Sequence, residues 1–206
     1  VTIGSKGKYT GAIGIFKDEK GQPRARFELV PLDDRFPEDQ DIRELLDVKY
    51  IQKLSALKLV ETNPQVPFDA SHPDWSYVGS ANCEQCHSNV YKSWLATRHA
   101  TALKTLVEGI EQGGKHIAKG KEANPECVSC HSVGFSYLTG YTGTQKTAHL
   151  GGNGCENCHG PSSEHVKIYL NPDASKDDLR RANKTVHRDP QTQERNLCIR
   201  CHDAEN

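Results

Sequence analysis

The pattern C-x-x-C-H occurs four times in this chain, and it limits what the chain can fold into more than any other feature. The copies are Cys83-Glu84-Gln85-Cys86-His87, Cys127-Val128-Ser129-Cys130-His131, Cys155-Glu156-Asn157-Cys158-His159 and Cys198-Ile199-Arg200-Cys201-His202. All 8 cysteines of the sequence fall in these copies. C-x-x-C-H is the attachment signature of c-type haem: two thiols bond the vinyl groups and the adjacent His reaches the iron. Two zinc sites of four thiolates would also use C-x-x-C pairs, but zinc does not require a His after every second Cys. A disulfide framework predicts no fixed C-x-x-C spacing. The pattern therefore calls for four covalently bound haem c groups. Their thioether positions are Cys83, Cys86, Cys127, Cys130, Cys155, Cys158, Cys198 and Cys201, and their proximal ligands are His87, His131, His159 and His202.

Composition sharpens this. Only 35% of the 206 residues are hydrophobic. From Cys83 to His202 there are roughly 30 residues per haem, too few for an ordinary apolar core, so the macrocycles are expected to form much of the interior. Met is absent. His/Met ligation is thereby excluded, and the expectation is low-potential, mostly bis-His iron. A formal net charge of −1 points to no nucleic-acid partner. No transmembrane stretch or signal peptide is evident. The chain starts at Val1, and covalent haem attachment normally occurs outside the cytoplasm, so an export signal or larger precursor segment is expected to have been removed, leaving a periplasmic or extracellular protein.

Three regions follow in order. Residues 1–60 contain neither Cys nor His. Tyr9 to Phe16 and Arg24 to Val30 read as a β-hairpin around Gly21, the second strand alternating Arg24, Arg26 and Glu28 with Ala25, Phe27 and Leu29. Asp41 is read as an N-cap with Glu44 three residues on. Ile42, Leu45, Leu46, Tyr50, Leu54 and Leu57 then line a helical face to about Val60. A lone hairpin and helix bury little and must pack on something. Residues 61–80 read as an irregular linker with Pro64, Pro67 and Pro73, carrying His72 and Trp75. Residues 81–206 form the haem region, in which a helix is expected from the first motif to about Gln112 and a short one from Ser175 to about Lys184. The expected fold is a mainly α multihaem cytochrome c with little regular structure and a haem-dominated core, preceded by the small hairpin and helix.

The stretch GSKGKYTGAIGIF followed by LVPLDDRFPEDQDIRELLDVKYIQKL resembles the last strands and closing helix of a calcineurin-like metallophosphoesterase or 5'-nucleotidase domain. That family's metal-binding Asp, His and Asn motifs are absent here, so no phosphatase activity is carried over and the segment is expected to be a structural appendage. From Cys83 onward the chain resembles the tetrahaem cytochrome c-554 family. The matching residues are the first motif followed by Ser93, Trp94, Thr97, His99 and Ala100, then CVSCHSVGF with a nearby GYT, then GCENCHGP with a following His. The resemblance implies that His99 ligates the haem of His159, and that His165 ligates the haem of His87. It leaves the haem of His131 without a sixth ligand. This chain departs there by carrying His149, which is expected to fill that position. For the haem of His202 the sequence offers His72, His187, His116 or a residue of another subunit.

Three functions are compatible with this pattern. The leading expectation is an electron carrier, not an enzyme, exchanging electrons with other redox proteins or extracellular acceptors, since six-coordinate iron passes electrons without binding a substrate. A multihaem oxidoreductase acting on a small nitrogen compound would need an open iron. A head-to-tail homo-polymer would follow if His72 of one copy ligated the last haem of the next. Because so little apolar side chain is available, the chain expressed without haem attachment should show no cooperative thermal transition by circular dichroism, whereas the haem-loaded chain should.

Overall fold

The computed structural model describes residues 7–112, 115–186 and 195–202. His187 lies outside them. The chain opens with a two-stranded antiparallel ribbon, β1 (Tyr9–Lys17) and β2 (Pro23–Pro31), with Ile13 opposite Phe27 and Ile15 opposite Ala25. Side chains alternate across a strand. One face of the ribbon thus carries Tyr9, Ile13, Ile15, Phe27 and Leu29, and the other carries Arg24, Arg26 and Glu28. Asp18 closes the turn, its carboxylate accepting from the backbone N–H of Lys20 and of Gln22. Every residue of β1 is exposed, including Ile15 at 79%.

A helical run follows: α1 (Gln40–Glu44), a π-helical segment (Leu45–Tyr50) and α2 (Ile51–Leu57). Its N-cap is Asp39, whose carboxylate accepts from Asp41 N–H and Ile42 N–H, and not Asp41 as the sequence suggested. The Asp39 side chain reaches two orphan donors, so the first turn starts two residues earlier. The run ends at Lys58, which takes a left-handed conformation (φ 52°). Only Ile51 and Leu54 of this run are buried.

Residues 61–80 contain no helix or strand until the 3₁₀ turn Ser80–Cys83, yet they are not a free tether. Val66 forms a parallel bridge with Tyr137, Ser76 N–H donates to Ser163 Oγ, and Tyr77 N–H donates to Thr139 Oγ1. Tyr77 is 7% exposed and belongs to the central cluster with Val60, Leu103, Leu106, Val128, Val133, Tyr141 and Leu150.

The first motif enters α3 (Glu84–Leu95), which kinks at His87. Contrary to the expectation of one helix reaching Gln112, α3 ends at Leu95 and α4 (Ala102–Glu108) is separate. Thr97 N–H and its hydroxyl both bond Trp94 C=O, turning the chain before His99. His99 therefore sits between two helices. A short hairpin, β3 (Ile110–Gln112) and β4 (Lys115–Ile117), follows α4, and β3 stands where the expected helix would have ended. The second motif lies on α5 (Pro125–His131), capped by the Asn124 side chain with Pro125 in the first turn. The third lies on α6 (Cys155–His159). Next come α7 (Ser163–Tyr169) and α8 (Lys176–Val186), the latter opened by reciprocal bonds between Ser175 and Asp178. The fourth motif straddles the end of α9 (Arg195–Ile199).

A cluster of charges joins the N-terminal helical run to the β3–β4 hairpin. His116 places Nδ1 2.6 Å from Glu111 Oε2 and Nε2 2.6 Å from Asp47 Oδ2, so a protonated ring can donate to both carboxylates. Arg43 Nη2 also approaches Nδ1, and Arg43 pairs with Glu38 and Glu111. The hydrogen bond to Glu111, then that to Asp47, raises the His116 pKa above 6.5, with desolvation and the Arg43 charge opposing. A raised folded-state pKa means that the stabilising contact is fully present below about pH 6.5 and is lost as pH rises through the higher folded value. Limited proteolysis of the 40–57 helical run should therefore accelerate between pH 6 and pH 9 in the wild type. In His116→Ala it should already be fast at the lower pH.

Candidate functional site

The four motifs meet around two cavities. One, of about 680 Å³, is lined by Cys83, Cys86, His87, Cys155, His159 and His165, with Tyr169 and Val186 closing it. The other, of about 670 Å³, is lined by His99, Cys130, Cys158, Cys198, Cys201 and His202, with Phe68, Tyr77 and Tyr137 on its apolar wall. Both fall within the size range of small-molecule and cofactor sites.

The cysteines pair between motifs. The Cys83 thiol hydrogen-bonds the Cys155 sulfur; this bond, then burial, raises the Cys83 pKa, and the same bond lowers that of Cys155. Burial and then a hydrogen bond to Cys130 raise the Cys201 pKa, and Cys158 is near enough to add to the shift. The first motif is thus adjacent to the third, and the second to the fourth. Cys127 is half-buried, and burial pushes its thiol up. Cys86 and Cys198 are exposed.

Several imidazoles are held in one tautomer. A carbonyl can only accept, so a ring nitrogen bonded to one must carry the proton. His131 Nδ1–H donates to Ala102 C=O at 2.7 Å, His159 Nδ1–H to Val186 C=O at 2.9 Å and His165 Nδ1–H to Ala182 C=O at 3.3 Å. This leaves Nε2 unprotonated and ready to ligate a metal, which is how protein-bound metal sites orient their histidines.

Two pairs of rings face each other. His87 and His165 have ring centres 6.3 Å apart with planes 22° from parallel. His99 and His202 are 5.9 Å apart at 47°. Two imidazoles sharing one metal ion at about 2.0 Å per bond have ring centres on the order of 6 Å apart. The His87–His165 pair is the one implied by the resemblance. The other differs: His99 faces His202 and not His159. The break between α3 and α4 accounts for the difference, because His99 is carried off the α3 axis. Its carbonyl accepts from Asn153 N–H at 2.8 Å, and Trp94 Nε1–H donates to Asn153 C=O at 2.9 Å.

The other histidines lie elsewhere. His72 stacks on Trp75 at 4.2 Å and 6°. His116 is held in the charge cluster. His149 is exposed on the 3₁₀ turn Ala148–Leu150, with its ring packed at Gly79. Among the described residues no ring faces His131 or His159 as His165 faces His87. Nor, among them, does any group of three or more His, Cys, Asp or Glu side chains converge as a metal cage would require. The inter-motif cysteine pairing had no signal in the sequence. Nor did the buried Glu156, whose spacing is identical to that of the exposed Glu84.

Residues 82–160 match the family model described as "Cytochrome c554 and c-prime". Over 93 residues the chain is 37% identical to cytochrome c-554 of Nitrosomonas europaea, covering 43% of this chain and 40% of that protein. The chain therefore spans less than half the length of this curated relative. No solved structure matches the chain. The matches support a c-type cytochrome with covalently bound haem c, and the facing histidines and clustered thiols fit that group.

Gly152 is needed for the His99 placement. It has φ +88°, and a Cβ there would lie 2.7 Å from Ala100 C=O and 3.0 Å from His99 C=O. Gly21 has φ +73° and open space around it. Gly21→Ala should cost only the backbone strain of about 1–2 kcal/mol. Gly152→Ala should cost clearly more in urea unfolding of the haem-loaded protein, because the clash adds to the strain.

Proposed function

We propose that this chain is a tetrahaem electron carrier, with haems attached at Cys83/Cys86, Cys127/Cys130, Cys155/Cys158 and Cys198/Cys201. The observation that carries the proposal is that cysteines of different motifs line the same cavities, Cys83 and Cys86 with Cys155, and Cys130 with Cys158, Cys198 and Cys201. Haems tethered to adjacent sulfurs lie close together, as electron transfer through a chain of centres demands. Each haem iron supplies a one-electron ferric/ferrous couple. The chain's residues fix spacing, ligation and solvent access. His87 with His165, and His202 with His99, are the proposed axial pairs. His131 and His159 are the other proximal ligands, held by their bonds to Ala102 and Val186. The macrocycles would complete the core that the small cluster around Tyr77 and Leu150 begins.

The apolar N-terminal ribbon has no metal-binding His or Cys, and we assign it no chemistry. Among the described residues no helix is long and apolar enough to cross a membrane. We place the protein outside the cytoplasm, where thiol-to-vinyl attachment is made, with small redox proteins or extracellular acceptors as partners. With His99 opposite His202 in the same chain, the last haem needs no ligand from a second copy, so the polymer reading loses the feature that motivated it. Stacking against Trp75 likewise gives His72 a partner within the chain.

A second reading rests on His131 and His159, neither of which has a facing ring among the described residues. His149 can swing to one of them, and the carrier reading holds throughout if the other also gains a sixth ligand. An iron left without one is open to a small nitrogen ligand. Pyridine haemochrome analysis should give four haem c per chain. In electron paramagnetic resonance of the ferric protein, His165→Ala and His99→Ala should each convert one haem from low to high spin. His72→Ala and His116→Ala should convert none. A wild-type high-spin signal that shifts with nitric oxide or hydroxylamine would favour the open-iron reading. A high-spin signal appearing only in His149→Ala would assign His149 as the ligand.

A further inference from the structure

The carboxylate of Glu156 has no role in attachment or ligation, yet it is the most deeply enclosed acidic group the structure describes. It is 2% exposed. It accepts from three backbone N–H groups on two separate segments. Gly79 N–H donates to Oε2 at 2.8 Å, Ser162 N–H to Oε1 at 2.9 Å, and Val78 N–H reaches both oxygens at 3.1 and 3.2 Å. Among the described residues no Lys, Arg or His forms an ion pair with it. Glu156 follows Cys155, its charge is felt at Cys83, and it also lines the cavity that holds Cys130 and His202.

The first motif provides an internal comparison. Glu84 occupies the same place after Cys83 that Glu156 occupies after Cys155, but Glu84 is exposed. Salt and water screen a surface charge within about 10 Å at 0.1 M ionic strength, and screen an enclosed one much less. Burial pushes the Glu156 pKa up, while the backbone donors favour its ionised form.

We propose that Glu156 is a positioning residue whose enclosed carboxylate ties the segment before the first motif to the third motif and lowers the reduction potentials of the haems attached at Cys83 and Cys155. This rests on the haem-carrier reading above. A fixed negative charge beside an iron centre stabilises the ferric state over the ferrous one, because reduction removes one positive charge from its neighbourhood. The same side chain holds the backbone at residues 78–79 against residue 162, which sets Cys83 beside Cys155.

The test begins with pyridine haemochrome on wild type and variants. A wild type without four haems would overturn the carrier reading itself, independently of Glu156. With haem content equal, spectroelectrochemical titration of Glu156→Gln should shift part of the reduction curve toward the reduced form by about tenfold in equilibrium constant, about 59 mV upward for a one-electron couple. Glu84→Gln should leave the curve in place. Unshifted potentials in Glu156→Gln, or an equal shift in Glu84→Gln, would overturn the proposal. Should Glu156→Gln fail to load, the wild type labelled with ¹³C-glutamate decides by reduced-minus-oxidised infrared difference. A label-sensitive carboxyl band separates a glutamate from the haem propionates, and its absence would overturn the proposal.

Discussion

A small set of hydrogen bonds between motif-bearing segments, more than apolar packing, holds this fold in register. Asn157 Nδ2–H donates to Ser132 C=O, Gly152 N–H to His131 C=O, and Val133 N–H to Leu150 C=O. Cys155 N–H donates to Ser80 Oγ, tying the third motif to the turn that precedes the first. Each bond joins residues distant in sequence, at or within a few positions of a motif cysteine or histidine. A buried backbone group without a partner is costly, so these bonds constrain the geometry more tightly than their modest net energy suggests. The side chains of Val128, Val133 and Leu150 are fully enclosed beneath them, so the polar ties and the small core share one location.

Much of this was legible in the sequence, and the reasons are local. The hairpin follows from strict alternation through Arg24 to Leu29 around a Gly turn. The proposed attachment residues come from a fixed covalent motif. The helical run at 40–57 follows from its apolar spacing, although its cap was placed two residues late because Asp39 and Asp41 are chemically equivalent choices. The helix expected from the first motif to Gln112 breaks in the structure. Tyr91, Trp94 and Leu95 keep a helical spacing before the turn that Thr97 makes by bonding back to Trp94, Leu103 and Leu106 keep one after it, and local periodicity alone does not register the break between them.

Side-chain meeting points were the least legible. The approach of His99 to His202 depends on the break between α3 and α4, a left-handed glycine and Asn153, none of which sits in a C-x-x-C-H motif. The enclosure of Glu156 depends on three amides from other segments, and its twin at Glu84 shows that composition within the motif cannot distinguish inside from outside. The clasp around His116 joins residues from α1, the π-helical segment and the β3–β4 hairpin. The sequence offered His116 only as a candidate ligand for the last haem.

The interleaved pairing of motifs, first with third and second with fourth, also governs how the protein can be made. Cys83 and Cys86 precede Cys155 by about 70 residues, so the first motif is made and accessible before the third can approach it. The same interleaving leaves no position between the first and last motifs where the chain could be cut into two self-sufficient halves. A truncated product strands at least one member of a pair, so the region matures as a whole or not at all.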